Sequence, residues 1–464
     1  MRKIIIFCMG ILLLAQFAFA GEFSYSGYLK NEMALGTKTD RLDKFKNILQ
    51  LSGQYQFNEN FVAFASAKYW YDSVYSWYDK YDIAQYYMQH IQRNDWLRDC
   101  YIDYMNGPWF LRLGKQQVAW GQADGIAILD RVNPFDLTEY WLQDAVDLRI
   151  PLWMANINYS PKLNSNLQLL IIPDFEQSTA APPGAPFTFR AYQLFYHFKD
   201  MWENYPGVYQ GLPKALRGLV EANIYYPAKQ LEHTKIGVQW SDRIGGWDYT
   251  LNYLYGYDYL ARTYDESDDV MPPIDVKYAR RFKIDQMVGG SLNHTFTREG
   301  PLQGITLRSD VAVYLNEPTY YGNPATGRSN GVARWNNVFW LIGLDKTVLT
   351  KWLVSFQFAQ YILEHKKYGD DFPLNSYTNG AQDQVENIFS LKIGSHFMND
   401  KLKPEVLWSF TDDNQGRVNP KISYEITDNL MFTLGYQYFY GHERDSNGEF
   451  QNCNEVYTQL KYSF

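Results

Sequence analysis

The chain has 464 residues, 46% of them apolar and 17% aromatic, with 39 tyrosines, 28 phenylalanines and 14 tryptophans. Its formal charge of −8 argues against a nucleic-acid partner, which would need a basic face. A soluble core does not use so many tyrosines, whereas wide apolar-to-water boundaries do, because Tyr has an apolar body and a polar tip.

Residues 1–20 read as a secretory signal peptide. Arg2 and Lys3 form a basic start, Ile4 to Leu14 an apolar run, and Ala18-Phe19-Ala20 an A-x-A cleavage site before Gly21. Cys8 lies inside the apolar run rather than at the cleavage point, which argues against a lipoprotein anchor. Removing Arg2 and Lys3 from the 43 basic residues leaves 41 against 51 acidic, a net charge of −10. No later stretch reaches eighteen consecutive apolar residues, so residues 21–464 hold no predicted transmembrane helix. They form either a soluble exported protein or a β-barrel.

The period of the pattern chooses the barrel. In "WFLRLG", Trp109, Leu111 and Leu113 alternate with Phe110, Arg112 and Gly114. In "YTLNYLYGY", Tyr249, Leu251, Tyr253, Tyr255 and Tyr257 alternate with smaller or polar residues. Trp352 to Phe358 and Phe432 to Tyr440 repeat the pattern. Strict alternation over about ten residues is the dyad signature of a strand with one face to lipid and one to a lumen. Connections alternate too. Short ones at 58–60, 107–108, 242–246, 346–351, 399–403 and 427–429 separate long polar ones at 72–96, 181–186, 265–273, 317–331, 364–384 and 441–453. Outer-membrane barrels show this asymmetry. About twenty runs are countable, the weakest near 97, 190, 218 and 233. The expected fold is an all-β transmembrane antiparallel up-and-down β-barrel of 16 to 20 strands, 18 or 20 preferred, with an inward-folded loop or short helix.

The final run places Val456, Thr458, Leu460, Tyr462 and Phe464 on the lipid face, where it must pair with the first strand to close the wall. Its ending, Tyr462 and Phe464, resembles the C-terminal assembly signal of bacterial outer-membrane proteins. The glycine often found five residues before the end is Gln459 here.

Residues 118–151 do not alternate and are too long for a turn. Asn133 and Pro134 fit the N-cap and first position of a short helix. Apolar residues at intervals predict a packed segment, and long loops of this kind are commonly functional. It carries Asp124, Asp130, Asp136, Glu139, Asp144 and Asp147 against Arg131 and Arg149. Barrels of sixteen strands or more leave an aqueous lumen. Folded inward, residues 118–150 become a constriction or plug whose carboxylates favour cations or neutral solutes. The other reading is a structural lid, its acids paired locally with Arg131, Arg149 and Lys115.

The run "GKQQVAWGQADGIAILDRVNPFDL", closed by "DLRIPLWM", resembles a family of uncharacterised proteobacterial outer-membrane proteins. The matching positions include Gly114, Lys115, Gln116, Trp120, Gly121, Ala123, Asp124, Gly125, Asp130, Asn133, Pro134, Asp136, Arg149, Pro151 and Trp153. The detailed match covers about forty residues. The resemblance implies a barrel in the porin and alginate-export style, and it supplies neither substrate nor catalytic residues.

The other chemistry is sparse. Cys100 and Cys453 form one disulfide or two buried thiols. The seven histidines (His90, His197, His233, His294, His365, His396, His442) have no metal-ligand spacing, so no metal, cofactor or catalytic set is expected. Ser395 beside His396 is a weak nucleophile pair, since adjacent strand residues face opposite sides. The expected function is an outer-membrane porin-like channel for small hydrophilic solutes, with outer-membrane lipids, lipopolysaccharide and the barrel-assembly machinery as partners. The alternatives are an exporter or importer of a hydrophobic or polymeric compound, and a sheath for a periplasmic or multihaem cytochrome. An adhesive role for the long loops is a further possibility.

Overall fold

The computed structural model describes residues 21–78, 96–182, 185–189, 223–228, 231–265, 278–323, 328–364, 372–374, 383–442 and 446–464. The signal-peptide residues 1–20 lie outside them, as do His90, His197 and His365.

Eighteen strands form the wall. In chain order they are β1 (Glu22–Gly36), β2 (Arg41–Gln56), β3 (Phe61–Asp72), β4 (Leu97–Asn106), β5 (Trp109–Gln116) and β6 (Leu152–Lys162). Next come β7 (Ser165–Ile172), β8 (Lys235–Ile244), β9 (Trp247–Tyr257), β10 (Ile284–Thr295), β11 (Ile305–Asn323) and β12 (Arg328–Val348). The last six are β13 (Trp352–Ile362), β14 (Val385–Gly394), β15 (Leu402–Thr411), β16 (Gly416–Thr427), β17 (Leu430–Tyr440) and β18 (Glu455–Ser463). Each pairs antiparallel with the next in sequence. The wall closes where β18 pairs with β1, from Gly36 opposite Glu455 to Tyr28 opposite Ser463. Phe464 and Gly27 then exchange two backbone hydrogen bonds of 2.9 Å.

The two faces are inverted relative to a soluble protein. On β9, Leu251 is 62% exposed while its neighbour Asn252 is 4% exposed. On β17, Leu434 and Tyr438 are exposed, and Thr433 and Gln437 are buried. The outward band is therefore apolar and aromatic, and polar side chains turn inward, as a bilayer-crossing barrel requires. The rings of Tyr462 and Phe464 lie on the outward band.

One rim carries short turns: 57–60, 107–108, 163–164, 245–246, 349–351 and 428–429, with 296–304 and 395–401 somewhat longer. Gly245 and Gly246 take φ of +59° and +85°, the primed turn that suits a two-residue hairpin. The long connections stand at the other rim.

Of the twenty runs, the one near 190 lies outside the described residues. Of the one near 218 only its end is described, and that part, Asn223–Tyr225, joins 278–281 and 262–265 in a small separate sheet rather than the wall. Of the stretch expected as a loop at 317–331, residues 317–323 and 328–331 are instead the tall end of the β11–β12 hairpin, extended by Phe372–Leu374. Pro318 stands in register opposite Arg334, beyond the slip between Tyr314 and Glu317 and beyond Leu315, the last residue at which β11 pairs with β10, so the ladder there runs on one side of the strand. Cys100 and Cys453 are both free thiols, and Cys453 donates to the Pro186 carbonyl.

Candidate functional site: the strap inside the barrel

Residues 117–151 join β5 to β6 and run inside the barrel, bonded to distant parts of its inner face. Asn133 fastens the two ends together. Its Oδ1 accepts from the Val118 N–H at 2.8 Å, and its Nδ2 donates to the carbonyls of Gln116 and Ile150 at 3.2 and 2.9 Å. The Pro134 carbonyl accepts from the Ile150 N–H at 2.8 Å. Gln116 in turn donates to the Met154 carbonyl and accepts from Asn156, and Lys115 donates to the Leu97 carbonyl at 2.6 Å.

The first half of the strap crosses to β7–β13. Trp120 lies over Gly237, where an added Cβ would stand 2.9 Å from the indole, and its Nε1 donates to Gln168 at 2.9 Å. The chain then turns at Gly121, whose φ is +96°. An added Cβ there would meet Asp310 Oδ2 at 2.8 Å, so backbone shape and space both require glycine. Asp310 accepts the N–H groups of Gln122 and Ala123 at 2.8 to 3.0 Å. Arg308 donates to the Gln122 carbonyl at 2.7 Å and pairs with Asp124 at 3.0 Å and Asp345 at 2.7 Å. Gly125 continues the turn at φ +73°.

Ile128, Leu129 and Val132 are fully buried against Leu254, Met287, Ala312 and Leu341 of the wall. Each such burial contributes about 1.5–3 kcal/mol. Tyr314 and Tyr259 donate to the carbonyls of Ile128 and Val132 at 2.5 and 2.6 Å. Arg131 pairs with Glu317 at 3.4 Å and lies 4.6 Å over the Tyr314 ring.

The second half turns back toward β1–β4. The helix expected to open at Asn133 does not form. Asp136–Trp141 is a short strand, parallel to Thr179–Ala180. Asparagine's amide is committed to the strap ends, Asp136 caps Thr138 instead, and Tyr140 takes φ +54°, which no helix continues through. The only helical turn in the strap is Ala145–Leu148. Glu139 sits between Lys44 and Lys46 of β2, at 2.5 and 2.7 Å. Asp147 pairs with Lys68 of β3 at 2.7 Å, and Asp144 approaches Lys30 of β1 at 3.5 Å. Asp130 pairs with Arg149 within the strap at 2.5 Å, and the Arg149 carbonyl accepts from Arg98.

Burial raises the Glu139 pKa, but Lys44 and Lys46 outweigh it and hold the carboxyl below its ordinary value. Asp147 is likewise depressed, burial being outweighed by Lys68. Asp130 goes the other way: burial raises it more than Arg149 lowers it.

Between this half of the strap and β1–β3 with β16–β18 lies a cavity of about 190 Å³. Its lining includes six lysines, Lys30, Lys44, Lys46, Lys68, Lys421 and Lys461, and five acids, Glu32, Glu139, Asp144, Asp147 and Glu455. Sequence reasoning found the strap acids of this set and missed the lysines. Their signal was available, since Lys44 and Lys46 are two apart on a bilayer-crossing strand, and a charge there faces the lumen rather than lipid. The candidates thus separate. Glu139, Asp144 and Asp147 line the cavity, while Asp124, Arg131 and the Asp130–Arg149 pair anchor the strap. Ser395 donates to the Lys351 carbonyl, and His396 faces Asp400 at 3.7 Å.

Residues 36–464 match the family described as a protein of unknown function (DUF1302), and the chain belongs to that family. A search of the curated proteins finds no match. Among solved structures the chain is similar to Pseudomonas aeruginosa OccK3 (OpdO), with 8% identity, 96% of each chain covered and a TM-score of 0.51. It is also similar to Acinetobacter baumannii OccAB4, with 11% identity, 96% of this chain and 98% of that one covered, and a TM-score of 0.50. These likenesses show the barrel fold.

Proposed function

We propose that this DUF1302 member is an outer-membrane porin-like channel for small hydrophilic solutes, narrowed by residues 118–150. One observation carries the reading: the strap is tied to far-apart parts of the inner wall, Arg308 and Asp310 on β11 and Lys44, Lys46 and Lys68 on β2 and β3. What is left beside it is a polar cavity lined by both signs of charge. Because Glu139 and Asp147 each meet wall lysines, the strap does not present a bare acidic ring. Of the cation and neutral preferences expected from its acids, the lining supports neutral solutes. A hydrophobic cargo finds few apolar groups there. A cytochrome sheath would need the interior space through which the strap runs.

Single-channel recording in a planar bilayer tests this. Wild type is expected to give discrete steps, and a variant with residues 120–147 replaced by a short linker larger ones. Absence of conductance above the bare membrane, or equal steps from a strap-less variant that still migrates as a folded barrel, overturns it. In this reading the signal peptide delivers the chain for insertion by the barrel-assembly machinery, and outer-membrane lipids, lipopolysaccharide included, surround the outward band. Membrane-fraction protein is expected to begin at Gly21.

A further inference from the structure

The charges that line the lumen cavity are not all matched. Of its six lysines and five acids, all but two are held in ion pairs, most of them with one another and Lys421 with Glu405 at 3.1 Å. The two left over among the described residues are Glu455 and Lys461, of opposite sign and both turned inward from β18. Lys44, whose field reaches Glu455, is bound to Glu139 and Glu32 instead. Lys461 rests on the Tyr28 ring, 4.5 Å from its centroid.

Glu455 opens β18 at the long-connection end, and Lys461 lies at the short-turn end opposite Met431. The interval along the strand is roughly 20 Å. Between them β18 turns the neutral Tyr457 and Gln459 inward. Directly opposite Glu455 in register is Gln437 of β17, also in the lining. Facing side chains of such a pair start about 5 Å apart. Gln437 is 2% exposed, and its amide makes no hydrogen bond among the described residues. Glu455 is 3% exposed and makes neither a hydrogen bond nor an ion pair there. A buried amide and a buried carboxylate left side by side without donors are costly unless a ligand supplies them.

We propose that the cavity takes small zwitterionic solutes, with an ammonium at one end and a carboxylate at the other. The ammonium donates to the Glu455 carboxylate and to the Gln437 amide oxygen, brought round by a turn of the amide. The solute's carboxylate points along β18 toward Lys461. A simple cation or anion is attracted at one end of this track and repelled at the other, whereas a zwitterion is aligned by both. A solute shorter than the interval meets the two charges in turn. The inference sharpens the neutral-solute preference and rests on the channel reading.

The test uses the full-length mature barrel in detergent micelles at pH 7, with triglycine as the probe and saturation-transfer NMR as the readout. Triglycine amide lacks the carboxylate, and N-acetyltriglycine lacks the ammonium. Wild type is expected to bind triglycine more tightly than either. Glu455→Gln is expected to weaken triglycine and triglycine amide about tenfold, the loss of one charge-assisted bond, and to leave N-acetyltriglycine unchanged. Lys461→Gln is expected to weaken triglycine and N-acetyltriglycine and to leave the amide unchanged. Absence of saturable triglycine binding by wild type overturns the proposal, as does wild-type affinity in a heat-modifiable, folded Glu455→Gln barrel. So does triglycine amide binding as tightly as triglycine, which would make this a site for cations. Binding in micelles needs no conduction. A barrel that binds triglycine and conducts nothing therefore sinks the channel reading alone, and one that conducts without telling the three probes apart sinks this inference alone.

Discussion

Glu139→Gln removes one charge from the cavity and leaves shape and hydrogen-bonding capacity nearly intact. It takes away the only strap carboxylate between Lys44 and Lys46, so the lining passes from six cations against five acids to six against four. For an ion passing about 6 Å away, a unit charge is worth roughly 0.7 kcal/mol in water and more where water is excluded. The change favours an anion and disfavours a cation, so their ratio moves by about 1.4 kcal/mol, roughly tenfold. Screening over a Debye length of about 10 Å lowers this to roughly threefold at 0.1 M salt. Reversal potentials in a KCl gradient across a planar bilayer measure the ratio directly. The expected result is a three- to tenfold move toward anions, with Glu299→Gln on the exposed turn 296–304 leaving the ratio unchanged. An unmoved ratio, or a move toward cations, would refute the idea that permeating ions pass Glu139.

Gly121→Ala forces a side chain into φ +96° against Asp310, at about 1–2 kcal/mol from the backbone alone, and the urea midpoint of the micelle-bound barrel is expected to fall. Asp310→Ala leaves the N–H groups of Gln122 and Ala123 without their acceptor, about 1–3 kcal/mol each, so single-channel traces are expected to flicker and the strap to be cut faster by added protease. Leu251→Arg puts a charge at mid-strand on the lipid face, at about 2–4 kcal/mol, and is expected to lower the fraction that folds into vesicles. Glu139 and Asp147 have depressed folded-state pKa values, so their contribution is complete above the unfolded values and is lost as pH falls through the folded ones. Protection of the strap from protease is therefore expected to be flat from about pH 8 to 5 and to decline only below about pH 4.

The wall was legible because lipid enforces alternation one strand at a time, and Leu251 beside Asn252 carries that message within two residues. The tall hairpin was not, because Pro318 and Asn323 read as loop until the bulge and the partner strand are known. The strap announced itself by its missing period, and its glycines by type. Its secondary structure was misread at Asn133, whose amide serves two carbonyls and one N–H drawn together by the fold. The lysine partners of Glu139 and Asp147 lie some eighty to one hundred residues upstream, so no local pattern pairs them.

The strap's two seats have a temporal consequence. One is made of strands synthesised before it and the other of strands synthesised after it. Neither register is fixed until the sheet has come full circle, so an unfinished ring holds the segment loosely and the strap settles last. If the barrel conducts as proposed, a chain arrested during insertion is a leak rather than a filter.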